Sequence, residues 1–263
     1  MKNHCGLLNK NSYNFLLIIL FSQIFLSQNC WAQEKYTKLI WADEFNYRGA
    51  PDSSKWTYDT GGNGWGNHEL EYYTTRPENV MVKDGMLHIT ALKENFKGNE
   101  YTSARILTKG KFSFKYGRVE ARAKLPSGVG TWPAIWMLGS NIDSVGWPAC
   151  GEIDIMEHLG RDLNKIYGTL HYPGHYGSHA NGKTIMISSA NDFHIYGLEW
   201  SPLEIKISVD GKVFHTVENS PEIPFNQNFF IILNQAMGGD FGGRVDPKVT
   251  KETMEVDYIR VYQ

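Results

Sequence analysis

The chain has 263 residues, with 26 lysines and arginines against 28 aspartates and glutamates, 13% aromatic residues, 26 glycines and three cysteines. That profile excludes a disordered, collagen-like or disulfide-stapled protein. The near-neutral charge leaves no basic field for nucleic acid and no polybasic patch for an anionic membrane.

Lys2 and Lys10 precede an apolar run from Phe15 to Leu26, followed by Cys30-Trp31-Ala32. The run is too short for a bilayer, which takes about 20 residues, and the whole reads as a secretory signal peptide over residues 1–32. Cleavage after Ala32 removes two positive charges and takes the net from −2 to −4. A lipid anchor at Cys30 is the weaker alternative, because Ser27-Gln28-Asn29 make a poor lipidation signal. Residues 33–263 are then expected to form one exported domain, monomeric and without a membrane span. Cys5 and Cys30 leave with the leader, so Cys150 has no partner within the chain and reads as a small buried hydrophobe.

Beyond the leader, alternating patterns predict strands. Met86 to Leu92 alternates after an Asp84-Gly85 turn, Lys111 to Tyr116 alternates again, and after Gly117 the segment Arg118 to Ala123 resumes the period of two. Ile205 to Val209, Asp210-Gly211 and Lys212 to His215 spell a hairpin, because Asp-Gly supplies the positive φ angles of a two-residue turn. Phe229 to Leu233 is continuously apolar, as in a strand covered on both faces, and Asp257 to Tyr262 reads as a closing strand. No segment sustains a helical period, no linker divides the chain and no repeat is present. Many short strands with Gly- and Pro-rich turns argue for an all-β sandwich or jelly roll.

The chemistry concentrates in Gly151-Glu152-Ile153-Asp154-Ile155-Met156-Glu157. On a strand, Glu152 and Asp154 share a face while Ile153 and Ile155 turn to the core. Strict alternation would drive Glu157 inward, where an unpaired carboxylate costs several kcal/mol. One extra residue at Ile155-Met156, a β-bulge, returns Glu157 to the face of the other two acids. Crowded like charges keep one acid protonated beside an ionised one. Retaining glycoside hydrolysis needs such a division, with a nucleophile and a proton donor about 5–5.5 Å apart. Several acids on one strand also mark an ordinary solvated face. Here Trp132, Trp136 and Trp147 precede them closely, and flat aromatic faces suit the apolar side of a sugar ring. At least one of these three is expected in the core.

The 151–157 segment resembles the bulged signature of the laminarinase and lichenase family of glycoside hydrolases, family 16. Trp41 to Phe45, Asn67 to Thr74, Gly130 to Leu138, Gly168 to Tyr172 and Ala236 to Gly239 resemble bacterial laminarinases in the same order. The resemblance implies a jelly roll of the concanavalin A type, whose concave sheet binds a β-glucan and cuts it internally with retention. It implies Glu152 as nucleophile, Asp154 as its electrostatic partner and Glu157 as acid/base. His171 would assist beside them, and Trp132, Trp136, Arg105, Asn234 and Asn67 would contact sugar, with Trp147 as a further aromatic contact. No cofactor is needed for that chemistry. A structural calcium ion is a family feature, and Glu44, Gly85 and Asp257 occupy its positions, only Asp257 with its side chain. Asn234-Gln235-Ala236-Met237 departs from the more usual Asn-Leu-Ala-Val.

The expected substrate is a β-1,3-glucan or a mixed-linkage β-1,3/1,4-glucan. The alternatives are an agarase- or carrageenase-type galactan hydrolase, a transglycosylase, or a glucan-binding lectin without turnover. Other signals weigh little. His171, His175 and His179 recur every four residues, but Pro173, Gly174 and Gly177 forbid the helix a zinc site would need. The His68-Glu69 pair has Tyr72 where a zinc protease needs its second histidine, and the glycine-rich 238–243 segment lacks the Lys-Ser/Thr of a phosphate loop, reading instead as a cleft-edge loop.

Overall fold

Alternation of apolar and polar residues produces strands almost throughout. The computed structural model describes Met1 and residues 36–263, and seventeen strands lie among the described residues. The first nine are β1 (Leu39–Asp43), β2 (Thr57–Asp59), β3 (Glu71–Tyr73), β4 (Val80–Lys83), β5 (Met86–Phe96), β6 (Asn99–Ser103), β7 (Arg105–Leu107), β8 (Gly117–Lys124) and β9 (Thr131–Gly139). They continue as β10 (Glu152–His158), β11 (Lys165–His171), β12 (Asn181–Met186), β13 (His194–Trp200), β14 (Glu204–Val209), β15 (Lys212–Glu218), β16 (Phe229–Met237) and β17 (Lys251–Tyr262). Two helices of four residues each, α1 (Ile142–Val145) and α2 (Gly239–Gly242), and a 3-10 turn at Gly177–His179 complete the described elements. The expected leader, with its candidate anchor Cys30, lies outside the described residues apart from Met1. No helix among the described residues is long and apolar enough to cross a membrane.

Two sheets make the expected all-β sandwich. One has ten strands in the order β15-β14-β13-β8-β17-β5-β6-β3, with β1 added on β17 and β4 on β5. The other has seven, β12-β11-β10-β9-β16-β7-β2. Neighbours are antiparallel except β3 with β6. In β8 the alternation is strict: Val119, Ala121 and Ala123 are buried while Arg118, Glu120, Arg122 and Lys124 are partly exposed. Ile205 and Ile207 of the larger sheet and Ile135, Ile153, Ile231 and Leu233 of the smaller one join one continuous core. Each such side chain contributes about 1.5–3 kcal/mol on burial, so the domain holds without a disulfide. Cys150 is buried and free, as expected, and burial pushes its thiol up to about 11, which leaves it protonated and inert.

The hairpins follow the turn residues. Asp84-Gly85 joins β4 to β5 with φ of 54° and 75°, and Asp210-Gly211 joins β14 to β15 with φ of 50° and 77°. The apolar run at Phe229 is buried along all of β16, and the closing strand begins earlier than expected, at Lys251. One expectation fails: Lys111 to Tyr116 is not a strand. Its N-terminal end is a turn, with the Lys111 N–H on the Thr108 carbonyl, and only Phe114 bridges to Phe229. The period of two there serves ring packing, since Phe112 stacks on Trp41 at 5.1 Å and on Phe114 at 5.6 Å. Tyr116, at φ 61°, then breaks the extended backbone.

Candidate active site

The middle strands of the seven-stranded sheet carry the acids. Along β10, Asp154 faces Trp136 of β9 and the next paired residue there is Met156 facing Ile135; on the other side Asp154 faces Thr169 of β11 and Glu157 faces Tyr167. Ile155 and Met156 therefore oppose a single residue, Gly168, and the expected bulge is present where the apolar pair demanded it. Both bulge side chains are fully buried. Glu152, Asp154 and Glu157 consequently share the outer face, lining one cleft of about 990 Å³.

The two glutamates each accept an indole N–H. The Trp147 indole N–H donates to Glu152 Oε2 at 2.8 Å, and the Trp132 indole N–H donates to Glu157 Oε1 at 3.0 Å. His171, opposite Glu152 on β11, brings Nε2 to 3.8 Å from Glu152 Oε1 and 3.2 Å from Asp154 Oδ2. The latter contact is close but is not a hydrogen bond, for Asp154 Oδ2 has no hydrogen-bond partner; His171 Nδ1, on the other side of the ring, has none either. On the other flank, the Trp136 indole N–H donates to Asn234 Oδ1 at 2.8 Å, and the Asn234 amide donates to the Tyr73 hydroxyl at 2.9 Å. That hydroxyl donates to Glu69, whose second oxygen accepts from the Asn67 amide at 3.0 Å. Arg105 stacks between Trp65 and Trp136, 5.1 and 4.7 Å from their ring centres.

All ten residues expected at catalytic or sugar-binding positions, Glu152, Asp154, Glu157, Trp132, Trp136, Trp147, His171, Arg105, Asn234 and Asn67, line this cleft. The expectation that one of the three tryptophans is core is corrected: Trp132 and Trp136 are partly exposed and Trp147 is 46% exposed. Their indole N–H groups explain this, because each must reach an acceptor on the cleft floor. Trp65, Glu69, Tyr167 and Phe241 also line the cleft without having been singled out. Glu69 belongs to the Asn67–Thr74 motif and Phe241 to the glycine-rich loop. Of the three periodic histidines only His171 is in the cleft; His175 and His179 are exposed on the loop that follows.

Burial and mutual repulsion push all three acids upward. Burial acts first on Glu152, then the charge of Asp154, raising it to about 8. Burial likewise raises Asp154, offset in part by the hydrogen bond it shares with Glu152. Glu157 is held well above the usual carboxylate range by burial and then by Asp154. One oxygen each of Glu152 and Asp154 and a nitrogen of His171 lie within 4.8 Å of one another, a spacing that could hold a cation. Glu152 already accepts the Trp147 indole N–H through Oε2.

The raised values have a stability consequence. Folded acids that bind protons more tightly than unfolded ones, whose values are near 4, stabilise the fold below that pH, and the gain is lost as pH climbs toward about 8. Replacing Asp154 by Asn removes one of the crowded charges. The melting temperature of Asp154→Asn is expected to exceed wild type by about 2–4 °C at pH 8 for each kcal/mol of repulsion relieved, and to match it at pH 4. Calorimetry at the two pH values checks this; a variant destabilised equally at both would contradict it.

Of Glu44, Gly85 and Asp257, only Asp257 is expected to turn its side chain toward a calcium ion. The Arg260 guanidinium grips both oxygens of Glu44 at 2.8 Å, and Arg122 takes Asp257 Oδ2 at 2.6 Å. Arg122 thus competes for one oxygen of the single carboxylate expected to reach a cation, and the Arg260 grip on the Glu44 side chain leaves its main-chain oxygen untouched.

Comparison with known proteins follows the same outline. The sequence profile described as Glycosyl hydrolases family 16 matches residues 67–260. A protein of Rhodothermus marinus named Beta-glucanase is 45% identical over 266 residues, covering 95% of this chain and 93% of its own length. A Glucan endo-1,3-beta-glucosidase of Cryptopygus antarcticus is 38% identical, covering 95% of this chain and 98% of its own. The X-ray structure of the Rhodothermus marinus laminarinase superposes with a TM-score of 0.83 at 46% identity, over 87% of this chain and 97% of that one.

Proposed function

The chain belongs to the glycosyl hydrolases of family 16, and from that membership we propose that it cuts β-1,3-glucan internally by a two-step mechanism that retains anomeric configuration. It is a glycoside hydrolase, and the proteins it is similar to include β-glucanases and laminarinases. The observation that carries the reading is the bulge in β10, which sets three carboxylates on one face beneath an aromatic cleft.

Binding of the polysaccharide displaces water and settles the shared protons. Glu152, held by Trp147, attacks the anomeric carbon as a carboxylate, and Asp154 takes up the proton the pair had shared. Glu157, kept protonated by burial, gives its proton to the departing glycosidic oxygen. The same group, now a carboxylate, draws a proton from the water that releases the glycosyl ester. Trp136, Asn234, Arg105 and Asn67 grip sugar on one flank, and His171 neighbours the acidic pair on the other.

Incubation with laminarin, lichenan, agarose and xyloglucan tests the substrate class. Release of short oligosaccharides from laminarin, or from laminarin and lichenan together, is expected. Binding without release favours a lectin, release from agarose a galactan hydrolase, and products longer than the substrate a transglycosylase. The reading includes export after loss of residues 1–32 and action as a monomer; N-terminal sequencing of the exported protein and sedimentation test these. A structural calcium near Glu44, Gly85 and Asp257 would rest on main-chain oxygens, and melting temperatures with calcium and with EDTA test it.

A further inference from the structure

A loop with no assigned role leans on the group that holds Glu157. It runs from Gly238 to Gly243 and carries α2 at its centre. Its backbone is fastened at three points. The Gly238 N–H reaches the Gly130 carbonyl at 2.8 Å, the Asp240 N–H reaches the Asn67 carbonyl at 2.8 Å, and Arg161 Nη1 donates to the carbonyls of Phe241 and of Gly242, the latter at 2.7 Å. His68 Nδ1 adds a contact at 3.0 Å to the Asp240 carboxylate. Gly239 admits no side chain there, since a Cβ would fall 2.6 Å from the Asn67 carbonyl. So tight a seat serves to aim the one large side chain on the loop.

That side chain is Phe241. It meets the Trp132 ring edge-on at 5.4 Å and 84°, and the Tyr167 ring at 5.1 Å and 77°. Both rings flank Glu157: Trp132 through its indole N–H, and Tyr167 as the residue facing Glu157 across the β10–β11 ladder. Tyr167 is itself tied by its hydroxyl to Asp162 at 2.6 Å. Trp132 is only partly buried, and Phe241 is its ring partner on the cleft side. Without that phenyl wall the indole gains room to swing, and its N–H leaves Glu157 Oε1.

We propose that Phe241, seated by Arg161, is a positioning residue that holds Glu157 in line with the leaving oxygen by fixing the Trp132 indole. The proposal rests on Glu157 being the proton donor, and it concerns the proton-transfer step rather than sugar affinity.

The test compares two substrates. Cleavage of laminarin needs a proton on the leaving alkoxide; release of dinitrophenolate from an aryl β-glycoside does not. In Phe241→Ala, kcat on laminarin is expected to fall about tenfold to 100-fold with KM changed less than about threefold, as misplacement of a reacting group requires. The burst rate of dinitrophenolate release at saturating substrate is expected to fall less than about threefold, well short of the loss on laminarin. Phe241→Tyr or Phe241→Trp restores kcat, and Arg161→Ala reproduces the selective loss. Equal losses on both substrates, a change in KM alone, or a Phe241→Ala enzyme with full laminarin turnover overturns the proposal. Glu157→Gln, run alongside, separates this from the underlying assignment: if that variant lacks the same dependence on leaving group, the proton-donor reading has failed and not merely the role of Phe241.

Discussion

Replacing Glu152 by glutamine is expected to lower kcat on laminarin about 10⁴-fold or more while leaving the fold and oligosaccharide affinity intact. The amide has the shape of the acid. Its oxygen can still accept the Trp147 indole N–H, now at 2.8 Å from the carboxylate, and its nitrogen can donate to Asp154, which already shares a hydrogen bond with Glu152. What it lacks is the electron pair that forms the ester. Calorimetric titration with a laminari-oligosaccharide checks affinity, and turnover of scrupulously purified variant checks the chemistry. A fully active Glu152→Gln protein would remove the nucleophile from the mechanism.

Loss of the proton donor has a different signature. Glu157→Gln is expected to reduce laminarin turnover about 10²–10⁴-fold, the range general acid–base catalysis supplies. On a dinitrophenyl glycoside the first step needs no acid, so the glycosyl ester should form at nearly the normal rate and then wait for a base that is no longer there. Azide, a nucleophile that carries its charge with it, should release that ester and restore turnover, giving a glycosyl azide of unchanged configuration. Neither effect is expected for Glu152→Gln. If azide does nothing and both substrates suffer alike, Glu157 is not the acid/base.

The carboxylate cluster was legible because it is local. Glu152 and Asp154 two apart, with Glu157 out of phase, require a bulge on grounds of burial alone, and the ladders shift where Ile155 and Met156 fall. The hairpins at Asp84-Gly85 and Asp210-Gly211 were legible for the same reason. Arg105, Asn67 and Asn234 came into view only through resemblance, since their meeting depends on strands far apart in the chain. The fastening of the 238–243 loop was hidden as well: the Asp240 N–H on the Asn67 carbonyl and the Gly238 N–H on the Gly130 carbonyl join backbone atoms, which carry no sequence signature, and Phe241 among glycines looked like an ordinary loop residue. At Lys111 to Tyr116 the pattern misled because a row of packed rings repeats every two residues just as a strand does. The tryptophans misled in the opposite sense, large apolar surface suggesting the interior where indole donors were required at the surface.

The reluctance of the resting cleft to ionise has a counterpart at the top of the reaction barrier. Cleavage of a glycosidic bond draws electrons from the sugar ring and leaves its anomeric centre cation-like. The electrostatic work of ionising Glu152 where water is scarce is recovered when a positive centre arrives beside it, and little is recovered from the neutral substrate. The fold thus keeps a field that is idle until the fleeting species appears, and a sugar mimic bearing a fixed positive charge at that centre would draw on it in full.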